Sequence, residues 1–366
     1  MKKFSSSDGF NSFFIDRVKF LRQKALENRK IFNEKQLNKP ISFWIKEDRL
    51  INESGKEFTI LLRTEGCSWA LGEKGGCTMC GYIQDANCEI VSQKQIMNQF
   101  DFALNNKIED ISVDHNNYVM KIFNSGSFFD DTEISNKTRN YIYEKIAKID
   151  KIKEFIIESR PEYLDNEKIA ELRENLKEKY IEIAIGLETV TDYIRSNYIN
   201  KGMLFNDFKD AVNVCKKNNI GVKAYLLLKP PFLNEQSAIE DCIKSIQALI
   251  KLGINTISVN PVNVQKGTLV EYLWYRKKYR PPWFYSLFKV LKKAMNQNDL
   301  NKIRLLSDPS GAGTKRGIHN CLKKECNQVA KQVLKNFVLT QDLSVLDQLE
   351  NKCDCKRDYQ LQKLFC

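Results

Sequence analysis

The chain has 366 residues, 42% of them hydrophobic and 28% charged, which is the make-up of a globular protein long enough to bury a sizeable core. Against 46 acidic residues stand 58 Lys and Arg, a formal charge of +12 that suits a polyanionic partner, RNA first, with a merely lysine-rich composition as the equal alternative. No apolar run reaches the length of a membrane span, and the start MKKFSSSDGFNSFFIDRVKF lacks the unbroken apolar stretch of a signal peptide, so a cytoplasmic protein is expected.

Taken in chain order, residues 10–36 place Phe14, Val18, Leu21 and Ala25 at helical spacing and predict an amphipathic helix. Six short runs follow that are rich in Ile, Val, Leu and Phe: FTILLR (58–63), MKIF (120–123), EFIIE (154–158), YIEIAIGL (180–187), GVKAYLLL (221–228) and NTISVN (255–260). Charged stretches of helical period, such as Asn166–Lys179 and Phe205–Lys217, lie between most of them. This alternation predicts βαβ units on a parallel sheet, either an incomplete barrel or an open sheet, with the chemistry in the loops after the strand C-termini. Beyond Asp299 the pattern breaks at the Gly-rich SDPSGAGTKRG, and a second cysteine-bearing stretch follows. The expected division is an N-terminal helical extension over 1–50, a core over 51–299 and a small Cys-containing module over 300–366.

Eleven cysteines in a reducing compartment argue for metal binding in place of disulfides. The segment TEGCSWALGEKGGCTMCGYIQDA (64–86) carries Cys67, Cys77 and Cys80 in the loop after the first predicted strand. A structural zinc takes four protein ligands, whereas a cubane 4Fe–4S cluster held by three cysteines leaves one iron open to a small molecule. The loop has no His, and the C-x9-C-x2-C spacing suits the cluster better. A zinc site completed by Cys88 is the competing reading.

On these residues the chain resembles the radical S-adenosylmethionine (SAM) enzymes, and within them the branch that holds the elongator catalytic subunit. IIESRPEYL (156–164), IAIGLETVTDYIRSNYINKG (183–202) and SVNPVNVQKGTLVEYLWYRKKYRPP (258–282) are similar to segments of that branch in the same order. GCSWA…GGCTMCGY together with SDPSGAGTKRGIHNC and a later CDC most resemble the archaeal radical SAM enzymes of archaeosine synthesis. The resemblance implies an α/β fold, a radical SAM partial (β/α)6 barrel. It also implies a 4Fe–4S cluster on Cys67, Cys77 and Cys80, whose open iron the amino and carboxylate groups of SAM chelate. One departure is Met79, at a position often aromatic in these enzymes; a thioether still packs on adenine.

Candidate SAM-binding residues follow from position at the strand ends. Ser125, Gly126 and Ser127 in NSGSFFD (124–130) offer backbone groups to the SAM amino group, an ordinary turn being the alternative. Glu158, Arg160 and Glu188 end the third and fourth predicted strands, where carboxylates hold ribose hydroxyls in other nucleotide sites. Arg195 and Lys201 are cations able to meet the SAM carboxylate. In the tail, His319, Cys321, Cys326, Cys353 and Cys355 are candidate zinc ligands, with reduced buried thiols as the alternative. Cys215 and Cys242 lie in helical patterns and read as core. WYRKKYRPPWFY (274–285) interleaves basic and aromatic residues, so Arg276, Lys277 and Lys278 are candidate RNA contacts, unless the aromatics only cap the core.

The function expected is conversion of a lysine-adducted 7-deazaguanine in the tRNA D-loop to archaeosine by radical C–N cleavage, beside a partner transferase that installs the lysine. Another radical SAM tRNA modification is the first alternative, although the acetyl-CoA domain that carboxymethyl-type chemistry needs is not evident. A non-catalytic zinc-containing RNA-binding protein is the second.

Overall fold

The computed structural model describes residues 9–349 and 353–365; residues 1–8, the start of the expected extension, lie outside them. Eight strands form one sheet in chain order: β1 (Ser42–Arg49), β2 (Ser54–Leu62), β3 (Tyr118–Asn124), β4 (Ile152–Glu158), β5 (Tyr180–Glu188), β6 (Gly221–Leu228), β7 (Thr256–Pro261) and β8 (Arg304–Leu306). β1 pairs antiparallel with β2, and every later pair is parallel, with at least one helix in each crossover.

Alternation along the strands divides the side chains between two surroundings. Phe58, Ile60 and Leu62 of β2, Met120 and Ile122 of β3, Phe155 and Ile157 of β4 and Ile183, Ile185 and Leu187 of β5 join the helices in the main apolar core. The residues between them face the other way, and many of these are charged: Glu57, Lys121, Glu154 and Glu182, followed by Lys223 of β6 and Arg304 of β8, all buried.

Those charges report the curvature of the sheet. Arg304 on β8 donates to Glu154 on β4 at 2.7 Å and to Glu182 on β5 at 2.6 Å. In a flat sheet β8 and β4 would stand about 19 Å apart, four strand spacings. The strands therefore curl into an open barrel, and the ion pairs cross its lumen. Lys121 lies between Asp48 and Glu57 at 2.5 Å from each, and Trp44 Nε1 donates to Glu57 at 2.6 Å. Burial works against the Asp48 charge, but the Lys121 ammonium outweighs it and holds the carboxyl below its usual range. Lys223 has no ion pair among the described residues; burial first, then Lys121, pull its ammonium down to about 8.

All six expected strands form. Two further strands join the sheet, one in each flanking segment. β1, SFWIKEDR, lies inside the extension expected to be helical. It is a half-exposed edge strand whose apolar residues are too few for a buried-strand signature. β8 is three residues long and lies beyond Asp299, in the segment expected to be a separate module. The helix Lys324–Thr340 spans the seam between β1 and β8. Lys335 pairs with Glu47 at 2.7 Å, Leu339 O accepts from Ser54 Oγ at 3.0 Å, and the Gln341 amide exchanges bonds with the Leu305 backbone at 2.8 and 2.9 Å. Among the described residues no helix is long and apolar enough to cross a membrane.

Arg304→Met leaves Glu154 and Glu182 buried without their shared cation, which is expected to destabilise the fold by about 3–5 kcal/mol. Adding Glu154→Gln and Glu182→Gln to Arg304→Met should recover part of that loss. Denaturant unfolding of the two variants checks both steps.

Candidate active site and thiol clusters

The mouth of the barrel, at the C-terminal ends of β2–β7, is where the three-cysteine loop sits. Cys67 caps the short helix Ser68–Leu71, and the chain then turns through Gly75 and Gly76, at φ +70° and +79°. A Cβ on Gly76 would meet Ala70 Cα at 2.8 Å, so the turn that brings Cys77 back beside the helix needs glycine on both counts.

Two distant segments hold this loop. Arg22, on the helix Gly9–Glu27, donates from Nε to Gly75 O at 3.0 Å and from Nη2 to Cys80 O at 2.8 Å and Cys77 O at 3.5 Å. From the other side, a π-turn over Arg195–Ile199 delivers Asn200 in the left-handed region at φ +57°. Asn200 Nδ2 donates to Lys74 O at 2.9 Å and Gly76 O at 2.8 Å, and its carbonyl accepts from Trp69 Nε1 at 2.8 Å. Thr78 binds the same turn through Ile199 O and Tyr198 O. Nothing local in the sequence marks Arg22 or Asn200, because their partners lie more than 50 positions away.

Around the thiols the charge is mixed. Lys201 Nζ pairs with Glu188 Oε1 at 2.8 Å, and Arg160 donates to Glu162 at 2.5 Å and to Lys201 O at 3.0 Å. Burial pushes the Cys77 thiol up to about 12 against the pull of Lys201 and Arg160, and it raises Cys80 as well. Ligation by metal is then what would displace the protons, with the two cations offsetting the thiolate charge left behind. Glu158 faces Tyr225; burial raises its carboxyl although the phenol opposes the shift.

The candidate SAM residues fall into two sets. Ser125 lies on the open side, its Oγ donating to Tyr82 O at 3.1 Å, and Glu158, Glu188, Arg160 and Lys201 gather at the mouth. Gly126 and Ser127 serve a neighbour instead. A Cβ on Gly126 would lie 1.7 Å from Glu133 Oε1, and the Ser127 amide donates to that same oxygen at 2.8 Å. The buried Glu133 carboxylate also receives Thr64 Oγ1 at 2.5 Å and Asn124 Nδ2 at 2.9 Å, tying the ends of β2 and β3 together. Asn124 Oδ1 is buried with no hydrogen-bond partner among the described residues, an acceptor beside Ser125. Arg195 is fully buried and directed inward to Met203 O, Thr189 O and Asp192. Met79 packs with Cys77 against the apolar group of Ile199, Leu227, Val262, Val264, Val270 and Tyr279.

The tail forms a second thiol site of different geometry. The ligand atoms of Cys321, Cys326, Cys353 and Cys355 all lie within 4.8 Å of one another, the one such group of three or more among the described residues. Cys321 Sγ is 3.7 Å from Cys353 Sγ, and Cys326 Sγ is 3.8 Å from Cys355 Sγ. A disulfide needs about 2.05 Å, whereas tetrahedral zinc with bonds of about 2.3 Å spaces its sulfurs about 3.8 Å apart. Cys321 precedes the helix Lys324–Thr340 and Cys326 lies in its first turn, so the turn between them makes the five-residue gap workable. Cys353 and Cys355 flank the start of the helix Cys355–Gln362 and reach the same group, despite the tight spacing in the sequence. His319 is left out: its Nδ1 faces Gly317 O at 2.8 Å, and burial, then Arg280, lower its pKa to about 4. Cys88 Sγ turns to Ile83 O at 3.4 Å, and Cys215 and Cys242 are buried in the main core. Arg276, Lys277 and Lys278 are exposed, with the Arg276 guanidinium 3.7 Å over the Tyr272 ring.

No family model matches the chain. It is 40% identical over 322 residues to proteins named archaeosine synthase subunit beta from Methanosarcina acetivorans and Thermococcus kodakarensis; the match covers 87% of this chain and 88% and 96% of theirs. Among solved structures, Elp3 of Methanocaldococcus infernus overlaps with a TM-score of 0.46 and 16% identity, covering 65% of this chain and 59% of that one.

Arg22→Met removes the charged donor that ties helix Gly9–Glu27 to the cysteine loop. Local opening of residues 67–80 should become easier by about 2–3 kcal/mol. Hydrogen exchange should show faster loop amides with unchanged protection in β4 and β5.

Proposed function

We propose that this chain, which belongs to the archaeosine synthase subunit beta family, is the radical SAM enzyme that completes archaeosine on tRNA. The observation that carries the reading is the loop of Cys67, Cys77 and Cys80 at the barrel mouth, braced from two sides by Arg22 and Asn200. Its donor set fits a 4Fe–4S cluster with one open iron. When bound there, the cluster and SAM supply a 5′-deoxyadenosyl radical for hydrogen abstraction.

The chain's own residues hold and isolate that chemistry. Lys201 and Arg160 set positive charge beside Cys77, and Glu158 and Glu188 offer carboxylates for ribose hydroxyls. Ser125, with the unpartnered Asn124 Oδ1 next to it, supplies polar groups for the SAM amino group. Val119, Ile156 and Ala184 pack with Leu50 as a small apolar group among the inward-facing residues. By this reading the substrate is tRNA whose D-loop 7-deazaguanine already carries lysine. A hydrogen leaves the lysine portion, and cleavage of the adjacent C–N bond leaves the amidine.

The relatives' designation as a subunit supports an assembly with a second protein, for which we propose the transferase that installs the lysine; a tRNA substrate supports a cytoplasmic site of action. Residues 51–299 hold the radical chemistry in this scheme, with 1–50 and 300–366 bracing it. The tail tetrad of Cys321, Cys326, Cys353 and Cys355 is a zinc site by its sulfur spacing, and there the metal contributes folding energy directly.

Anaerobically reconstituted protein, given SAM, dithionite and lysine-adducted tRNA, should form archaeosine detectable by nucleoside mass spectrometry; its absence would sink the proposal. Ala at Cys67, Cys77 or Cys80 should each remove the brown chromophore and SAM cleavage, while Cys88→Ala retains both.

Cys321→Ser or Cys353→Ser should release one zinc per chain and lower the melting temperature, leaving the brown colour. Metal analysis that finds iron alone would count against zinc.

A further inference from the structure

A cleft of about 770 Å³ opens beside the barrel mouth, between the loop after β6 and the segment 274–281. Five Lys and Arg residues line it, and no Asp or Glu does. Two of the five are engaged in the wall: Lys229 pairs with the buried Glu235 at 3.0 Å, and Arg280 donates to the carbonyls of His319 and Asn320 at 3.0 and 2.6 Å. The other three, Lys277, Lys278 and Lys315, are exposed and have no ion pair among the described residues. Lys277 ends the helix Leu269–Tyr275 in the left-handed region at φ +56°, and this turn sets two consecutive lysines on the rim. Trp274 and the half-exposed Phe232 supply ring surface in the same cleft.

The cleft also has a defined relation to both thiol sites. Trp274 packs into the same small apolar group as Cys77 and Met79. Arg280 lies 3.6 Å over the Trp283 ring, and Trp283 packs with Cys326 and Cys355. One wall thus rests on the radical loop and the other on the tail tetrad.

We infer that this cleft is the surface that binds the tRNA backbone, with Lys277, Lys278 and Lys315 on phosphates and Trp274 beside the bases. The inference rests on the reaction proposed above. Uncompensated cations around a concave aromatic surface match a polyanion with stackable bases, and Arg276, committed to Tyr272, stands outside the set. A solvated basic face has neither the concavity nor the rings.

The test is a salt titration of tRNA binding by the full chain. Lys277→Gln, Lys278→Gln and Lys315→Gln together should flatten the slope of log affinity against log salt by roughly 2 to 2.7, at about 0.7–0.9 per phosphate contact. Lys137→Gln, Lys148→Gln and Lys153→Gln, exposed residues elsewhere, remove the same net charge and should leave the slope near that of the parent. Thermal melting checks that both triple variants are folded. Equal flattening by both sets, an unchanged slope for the cleft set, or no tRNA binding by the parent overturns the assignment. Archaeosine formation by the parent protein is scored separately. If it fails while the cleft set flattens the slope, the cleft stands and the reaction falls; if it succeeds while the slope is unchanged, the reverse holds.

Discussion

An open barrel has two strand edges that must be held at a fixed distance, and here Arg304 does so across the lumen. Its guanidinium joins β8 to β4 and β5 and also donates to Arg49 O at the end of β1 and to Thr256 Oγ1 on β7, so one side chain ties together five strands. Buried ion pairs add little net stability, since desolvation offsets most of the attraction. Their effect here is on register. A slip of one residue in β8 would turn Arg304 into the apolar core and Leu305 into the lumen, leaving Glu154 and Glu182 without a cation. The curvature, and with it the placing of the six strand ends that frame the mouth, depends on that alternation.

The two cysteine sites show how backbone geometry sets the same side chain in different surroundings. In the loop after β2, two left-handed glycines and outside clamps from Arg22 and Asn200 fix the path of the segment that carries three thiols. In the tail, two helix starts bring four sulfurs to the edge length of a single tetrahedron. Neither arrangement comes from the cysteine count, which only says that metal is a better explanation than disulfides.

The parallel strands were legible because their outward residues are unbroken runs of Ile, Leu and Phe at alternate positions. The lumen was not, since Glu57, Lys121 and Glu182 read as surface charge until the sheet curls around them. β1 escaped notice for its polar, half-exposed composition, and β8 for its three-residue length. The three-cysteine loop stood out by its spacing, whereas the residues that support the loop did not. Gly126 looked like a backbone contact for SAM, but the space it leaves is filled by Glu133, seven positions on. Arg195 looked like a free cation, but the π-turn that carries it folds the guanidinium inward. His319 looked like a ligand by its company, yet its ring turns to Gly317. In each case the partner was set by a turn or packing that no local pattern encodes.

The helix Lys324–Thr340 has a consequence for how the protein can be cut and recombined. It covers the seam between β1 and β8 with its C-terminal half, while Cys326 in its first turn belongs to the tail tetrad. Uncovered strand edges are templates for pairing between chains. A fragment ending near residue 300 would therefore keep the cysteine loop but lose β8 and leave the edges of β1 and β7 open to pairing between copies. A fusion or graft of this barrel has to carry the helix with it.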